Sequence, residues 1–464
     1  MTLTRSPSPS RRRFLKQAAL TSGAALSPAL WTQSAVAAPV QDVSGYKALV
    51  CVLLAGGADS YNMLVPNDAM YYGRYRDFRA DLALPQASLV PLNADLGGRQ
   101  FATHPGLAGV ANAFNNGSAA WIMDTGLLVE PTSNAALLGG TAKYPLGLYS
   151  HSDQIAQWQT SIPDGRTGTG VAGRMADLLS SAANSNANLS MNVSLGGSNV
   201  WQTGAEVVEY AINAGGTGSE PLAGYNDPDA VFLTAAVDSL LGVDTNRWRN
   251  EYSRRLRGAI DAGAEFGAAL TAADTNPVTT PFSTSEFSQQ MQMIARVINA
   301  RSNLGASRQT FFVVFGGWDH HDEVLNNQAD MLPQLDAGLT EFQTAMAELG
   351  LSNSVTTFTI SDFGRTLTSN GRGSDHGWSG HQIVLGGAVE GGQLYGSYPE
   401  LIVNETRDQG RGVYAPTLST DEFYAELARW FGVADGDLTT VVPNIGRFYD
   451  VNASAAPIGF MRMG

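Results

Sequence analysis

Four of the six histidines in this 464-residue chain fall in two short segments, Gly316-Gly-Trp-Asp-His-His-Asp322 and Gly373-Ser-Asp-His-Gly-Trp-Ser-Gly-His381. Two more acidic, glycine-bearing loops accompany them, Gly56-Gly-Ala-Asp-Ser60 and Ser361-Asp-Phe-Gly-Arg365. Imidazole and carboxylate side chains together hold zinc, manganese and magnesium ions. The candidate ligands for one or two divalent metal ions are therefore Asp59, Asp319, His321, Asp362, His376 and His381.

The elements around these loops read as strands and helices in alternation. Apolar runs predict strands at residues 48–55, 119–123, 189–195, 310–315, 355–360 and 382–385. Several are almost continuously apolar, the pattern of strands covered on both faces. Ser283-Thr-Ser-Glu286 reads as a capping box before Phe287, Met291, Ile294 and Ile298 at helical spacing. Leu335, Leu339, Phe342 and Met346 mark a second helix, and Ser419-Thr-Asp-Glu422 caps a third. Together these predict an α/β fold, a mostly parallel sheet with helices on both faces. Ligands on such a sheet bind beyond the carboxyl ends of the strands. Asp59, Asp319 and Asp362 each follow one of these strands and are expected to share a rim. A single such aspartate is more often a turn or helix cap. Three in one structural position, two beside histidines, favour ligation.

The N-terminus addresses the compartment. Ser10-Arg-Arg-Arg-Phe-Leu-Lys16 fits a twin-arginine export signal, and Ala35-Val-Ala37 a cleavage site, so residues 1–37 are expected to be a leader handled by the twin-arginine export machinery. The mature chain, 38–464, is expected to be a single domain, periplasmic or secreted, with no integral membrane segment after cleavage. Removing Arg5, Arg11, Arg12, Arg13 and Lys16 takes the formal charge from −14 to −19. That balance gives no general attraction for nucleic acid or anionic lipid. The lone cysteine, Cys51, lies in a predicted core strand, where burial is favoured over reactivity.

Tyr149-Ser-His-Ser-Asp-Gln154 reads as a helix start. A hydroxyl there, near a metal, would be activated, which makes Ser152 the candidate nucleophile beside its ordinary capping role; Ser60 is the alternative. His151 and Asp153 are read as groups that orient ligands, or as surface residues. His104 reads as a plain loop histidine. Arg365 is a candidate clamp for phosphate or sulfate, or a partner of Asp375. Trp318 and Trp378 wall the site or pack the core.

The segments Leu53–Asn62, Tyr149–Gln154, Gly317–His321, Ser361–Thr366 and Ser374–Trp378 with His381 together resemble the bacterial exported family called domain of unknown function 1501. That family is similar to the alkaline phosphatase and sulfatase superfamily, which implies an alkaline-phosphatase-like core with two divalent metals and a hydroxyl or modified-cysteine nucleophile. By the same resemblance, Asp59 and Asp362 would serve one metal, and Asp319 with His321 the other, completed by His376 or His381. The chain departs from the superfamily in having Phe363 where a histidine commonly follows the aspartate, and in the spacing of Asp319 and His321. The reading that follows is an exported hydrolase of small phosphate or sulfate esters, in which Ser152 or water attacks phosphorus or sulfur. The alternative is a catalytically degenerate metal-binding or cell-envelope assembly protein.

Overall fold

Apolar runs too short for helices, rich in valine, isoleucine and phenylalanine, form the centre of the molecule. The computed structural model describes residues 40–463 apart from 220, 221, 223, 224, 243, 244, 403 and 404. The twin-arginine signal and its cleavage site lie outside the described residues. Residues 39–464 form one compact unit. The strands are β1 Lys47–Ala55, β2 Leu64–Pro66, β3 Val90–Leu96, β4 Arg99–Thr103, β5 Ala119–Gly126, β6 Asn192–Ser194, β7 Tyr210–Ala211, β8 Arg308–Gly316, β9 Val355–Ser361, β10 Gly380–Leu385, β11 Leu394–Tyr395 and β12 Leu418–Ser419. The α-helices are α1 Ala69–Arg79, α2 Ala108–Asn115, α3 Asn134–Leu138, α4 His151–Thr160, α5 Val171–Ala183, α6 Val231–Leu240, α7 Arg247–Ala273, α8 Glu286–Asn299, α9 Val324–Glu348, α10 Thr420–Phe431 and α11 Leu438–Val441.

The main sheet runs β11-β5-β10-β9-β1-β8-β6-β7, with β12 also paired to β5, and β2, β4 and β3 form a small separate sheet. Pairing in the main sheet is parallel except where β10 meets β9 and β5. The expected α/β architecture is therefore present, with one strand reversed. In β1, Val50, Val52 and Leu54 enter a core shared with Phe287, Leu335 and Phe342, while Leu49, Cys51 and Leu53 enter a second core with Met175, Phe423 and Leu427. Successive strand residues face opposite sides, so a run buried on both faces must be apolar at every position. Each such leucine or phenylalanine contributes roughly 1.5–3 kcal/mol by leaving water. Burial also pushes the Cys51 thiol upward, away from the reactive thiolate.

Two local expectations change. The predicted strand at 189–195 pairs only over Asn192–Ser194. Helix α8 is capped by Ser285, which accepts from Ser288 N–H at 3.2 Å, and not by Ser283, whose backbone N–H donates to Glu341. The capping box at Ser419 and Glu422 is present in full.

Candidate metal centre

Strand register brings the acidic loops to one level. Ala55 pairs with Gly316 and Leu54 with Ser361, so β1, β8 and β9 release their loops at the same edge. Because β10 runs the other way, the segment before it, Gly373–Ser379, reaches that edge too. The loops interlock closely. Gly56 has φ +123°, and a Cβ there would lie 2.4 Å from the Asp319 nitrogen; one at Gly364 would lie 1.7 Å from the Ser379 carbonyl oxygen. Neither position accommodates a side chain without moving the rim.

Three imidazoles meet the Asp319 carboxylate at this edge. His321 Nε2 lies 2.9 Å from His376 Nε2 and 3.0 Å from Asp319 Oδ1, and His376 Nε2 lies 3.4 Å from the same oxygen. His151, the first residue of α4, places Nε2 3.5 Å from Asp319 Oδ2. Ligand atoms of His151, Asp319 and His376 all lie within 4.8 Å of one another. Metal–nitrogen bonds of about 2.0 Å put tetrahedral ligands about 3.3 Å apart, so these spacings suit one small ion.

The outward nitrogens decide which atoms face inward. His151 Nδ1 contacts Asp362 Oδ2 at 2.6 Å, His321 Nδ1 contacts Asp375 Oδ1 at 3.1 Å, and His376 Nδ1 contacts the Tyr149 carbonyl at 2.8 Å. A carboxylate and a carbonyl only accept, so each Nδ1 donates and each neutral ring turns a bare Nε2 lone pair toward the others. Three lone pairs and a carboxylate at these distances repel unless a cation lies among them. Burial, outweighing a raising contact from the Tyr149 carbonyl, holds His376 below its usual pKa, which disfavours a proton on that ring. Partial burial pushes Asp319 up, but hydrogen bonding and charge from Arg365, with His321 and His151, bring its pKa below the usual value. Asp375 is held at about 2: partial burial raises it, and hydrogen bonds from Asn370, Arg411 and His321 prevail. Tyr149 itself has φ +74°, a left-handed backbone that costs a bulky residue about 1–3 kcal/mol.

The structure brings Asp319, His321 and His376 together, sets Arg365 against Asp319 and Asp362 against His151, and places Asp59, His381 and Ser152 outside the cluster. Asp362 stands behind His151, its Oδ1 accepting from Gly56 N–H at 3.0 Å, so the two exchange the ligand and orienting roles read from sequence. Asp59 is sealed in the core, where Oδ2 accepts from Arg79 Nη2 and from Ser374 Oγ, each at 2.7 Å. Burial works against the Arg79 charge, and Asp59 maintains it. His381 accepts from the Asp124 N–H at Nδ1, 3.1 Å, and stacks on Tyr398. Its neutral ring then carries the proton on Nε2 and has no lone pair left for a metal.

Arg365 does not reach outward as a clamp. It is 1 % exposed, and its guanidinium donates to the carbonyls of Gly57, Ser374, Gly56 and Trp318 and to Asp319 Oδ1 at 2.5–3.2 Å. Asp375 pairs with Arg411 and not with Arg365. Ser152 Oγ lies 3.3 Å from Ser150 Oγ and lines a groove with Ala156, Gln157 and Thr160. Trp318 and Trp378 are buried, and Trp378 Nε1 donates to the Leu127 carbonyl at 2.7 Å. The residues missed from sequence were His151 as a ligand candidate, Asp375 and the Tyr149 carbonyl as the supports of His321 and His376, and Arg79. For His151 the signal was its place in the first turn of a helix whose start was already legible.

Residues 248–444 match the family model described as Protein of unknown function (DUF1501). The resemblance read from the sequence motifs is thus borne out over that span. It holds Asp319, His321, Asp362, Arg365, His376 and His381, whereas Asp59, His151 and Ser152 precede it. No curated protein matches the sequence. Among solved structures, the chain is similar to the C-terminal periplasmic domain of EptC from Escherichia coli in complex with Zn, at 8% identity over 90% of this chain and 93% of that one, TM-score 0.36. It is also similar to the lipoteichoic acid synthase LtaP from Listeria monocytogenes, at 9% identity over 88% and 76%, TM-score 0.33. A sulfatase from Pseudoalteromonas sp. aligns at 9% identity over 84% and 68%, TM-score 0.33.

Proposed function

We propose that the protein is an exported, metal-dependent hydrolase of small phosphate or sulfate esters, centred on His151, Asp319, His321 and His376. The observation that carries this reading is the convergence of three Nε2 lone pairs on Asp319, each ring turned by an acceptor on its far side. Imidazole-rich sets of this kind favour zinc or a similar borderline ion over magnesium or calcium. One ion is expected, because Arg79 already supplies the positive charge beside Asp59. Such an ion, when bound, polarises an ester oxygen and makes water more acidic. Ester hydrolysis then forms a bond from water oxygen to phosphorus or sulfur, breaks the bond to the ester oxygen, and leaves a proton on the departing alcohol. Asp319, 45 % exposed, keeps the centre open to solvent and substrate. The export assignment is supported by the Arg11-Arg-Arg13 signal, and no described helix is long and apolar enough to cross a membrane.

One observation favours a second reading, a metal-binding envelope protein without turnover. Four side chains gather at the centre, the ligand number of structural sites, and Arg365 and Arg79 are occupied internally. Elemental analysis of the purified protein, with a panel of phosphate and sulfate mono- and diesters, separates the two. The hydrolase reading expects near-stoichiometric zinc or manganese, lost in Asp319→Ala and His376→Ala together with turnover. Bound metal with no turnover on any ester supports the second reading, and no metal after reconstitution defeats both.

A further inference from the structure

We infer that the esters cleaved at this centre are those of an apolar, uncharged alcohol held in a groove beside α4, a specificity that rests on the hydrolase reading above. Ser152, Ile155, Ala156 and Gln159 line one wall of the groove. Steps of three, four and seven residues from Ser152 place them on one face of α4. Ile155 lies one turn below His151 on the helix, so the groove begins about 6 Å along the axis from a candidate ligand. Its floor is Leu53 of β1 with Phe312 and Val314 of β8, the strands that carry Asp59 and Asp319 to the rim. Val200 and Val208, between β6 and β7, form the other wall. A helix and a strand therefore both lead from the metal centre into the groove.

Composition identifies the occupant. Among the described residues that line the groove, Glu209 alone is charged. An alcohol bearing a second phosphate, sulfate or carboxylate would meet that carboxylate and no lining cation, which disfavours it. Leucine, isoleucine, valine and phenylalanine side chains offer contact to carbon instead. Gly196 leaves the floor without a cover: a Cβ there would lie 2.7 Å from Val314 Cγ2 and 3.1 Å from Phe312 Cδ1. The groove encloses about 660 Å³, room for a fused aromatic group or a short alkyl chain. Val208, 58 % exposed, stands at its open lip. When the bond from phosphorus or sulfur to the ester oxygen breaks, the alcohol leaves protonated along the groove, and the phosphate or sulfate remains at the centre.

The probe is 2-naphthol, whose own fluorescence reports binding to the full zinc-loaded chain, used beside hydrolysis of the 2-naphthyl and methyl esters of phosphate and sulfate. Naphthol is expected to bind and to inhibit hydrolysis competitively, and KM should be at least about tenfold lower for the 2-naphthyl ester than for the methyl ester. Ala156→Phe fills the groove. It should weaken naphthol binding and raise KM for the 2-naphthyl ester about tenfold, with KM for the methyl ester, zinc content and the unfolding midpoint unchanged. Val208→Asp, at the exposed lip, should act in the same direction by about threefold and stands in where the Ala156 change disturbs folding. Absence of naphthol binding overturns the groove whether or not esters are hydrolysed. Naphthol binding that leaves hydrolysis uninhibited, or that neither variant moves, overturns the groove and leaves the hydrolase standing. Naphthol binding with no ester hydrolysed overturns the hydrolase reading, and the role of the groove with it.

Discussion

Asp59 and Asp319 follow glycine-rich turns at the ends of neighbouring parallel strands, and their surroundings are opposite. Asp59 is enclosed, with the Arg79 guanidinium, the last residue of α1, brought to it through the core. Arg79 is itself held by the Asn62 side chain and the Thr366 and Leu367 carbonyls. Asp319 is half exposed; its Oδ1 meets Arg365, His321 and His376, and its Oδ2 faces His151. Each aspartate receives a guanidinium from the fold, so the contrast lies in exposure. Asp59 is sealed in with Arg79, whereas Asp319 meets Arg365 through Oδ1 and keeps Oδ2 open toward His151, which is what suits it to the proposed ligand role.

Breaking the enclosed half should have the largest effect. Arg79→Met leaves the Asp59 charge buried without its partner and is expected to cost about 3–5 kcal/mol of stability, read from urea unfolding. A loss below about 1 kcal/mol would mean that Asp59 is solvated or holds another cation. Next in size is a pH effect from the same half. Burial, opposed by Asp124 and Asp59, lowers the pKa of His381 to about 4, so the folded chain keeps it neutral while the unfolded chain protonates it below its ordinary 6.5. Its contribution is complete above 6.5 and is lost as pH falls toward 4, by at most about 3 kcal/mol. His104, also lowered to about 4 by burial, adds to the same window. His381→Gln should therefore lose less stability between pH 7 and pH 4.5 than the unaltered protein, and equal losses would count against a neutral buried His381.

The open half is sharpened by a smaller change. Asp375→Asn keeps an acceptor for His321 but removes the charge, and should weaken zinc affinity about 10- to 100-fold in competition with a chelator, while the unfolding midpoint of the metal-free chain stays close to its starting value. Unchanged affinity would remove Asp375 from the support of the centre.

The central strands were legible because burial on both faces leaves only apolar residues, which is a strong local signal. The reversal of β10 was not, since an antiparallel strand has the same side-chain period as a parallel one. Three of the converging residues, Asp319, His321 and His376, could be read from type and loop position. The exchange between Asp362 and His151 could not, because it depends on which of two adjacent side chains reaches Asp319 first. Arg79 carries no local signal; its meaning comes from Asp59, twenty residues earlier, and from carbonyls 287 and 288 residues later.

The reversed strand also bears on when the centre can exist during folding. His376 finds its Tyr149 partner across 227 residues, and β10 must dock against both β9 and β5 before that segment reaches the rim. Contacts so distant in sequence close late and slowly. An ion captured there would act as a clasp on a nearly finished molecule, and its uptake would time the last step of assembly.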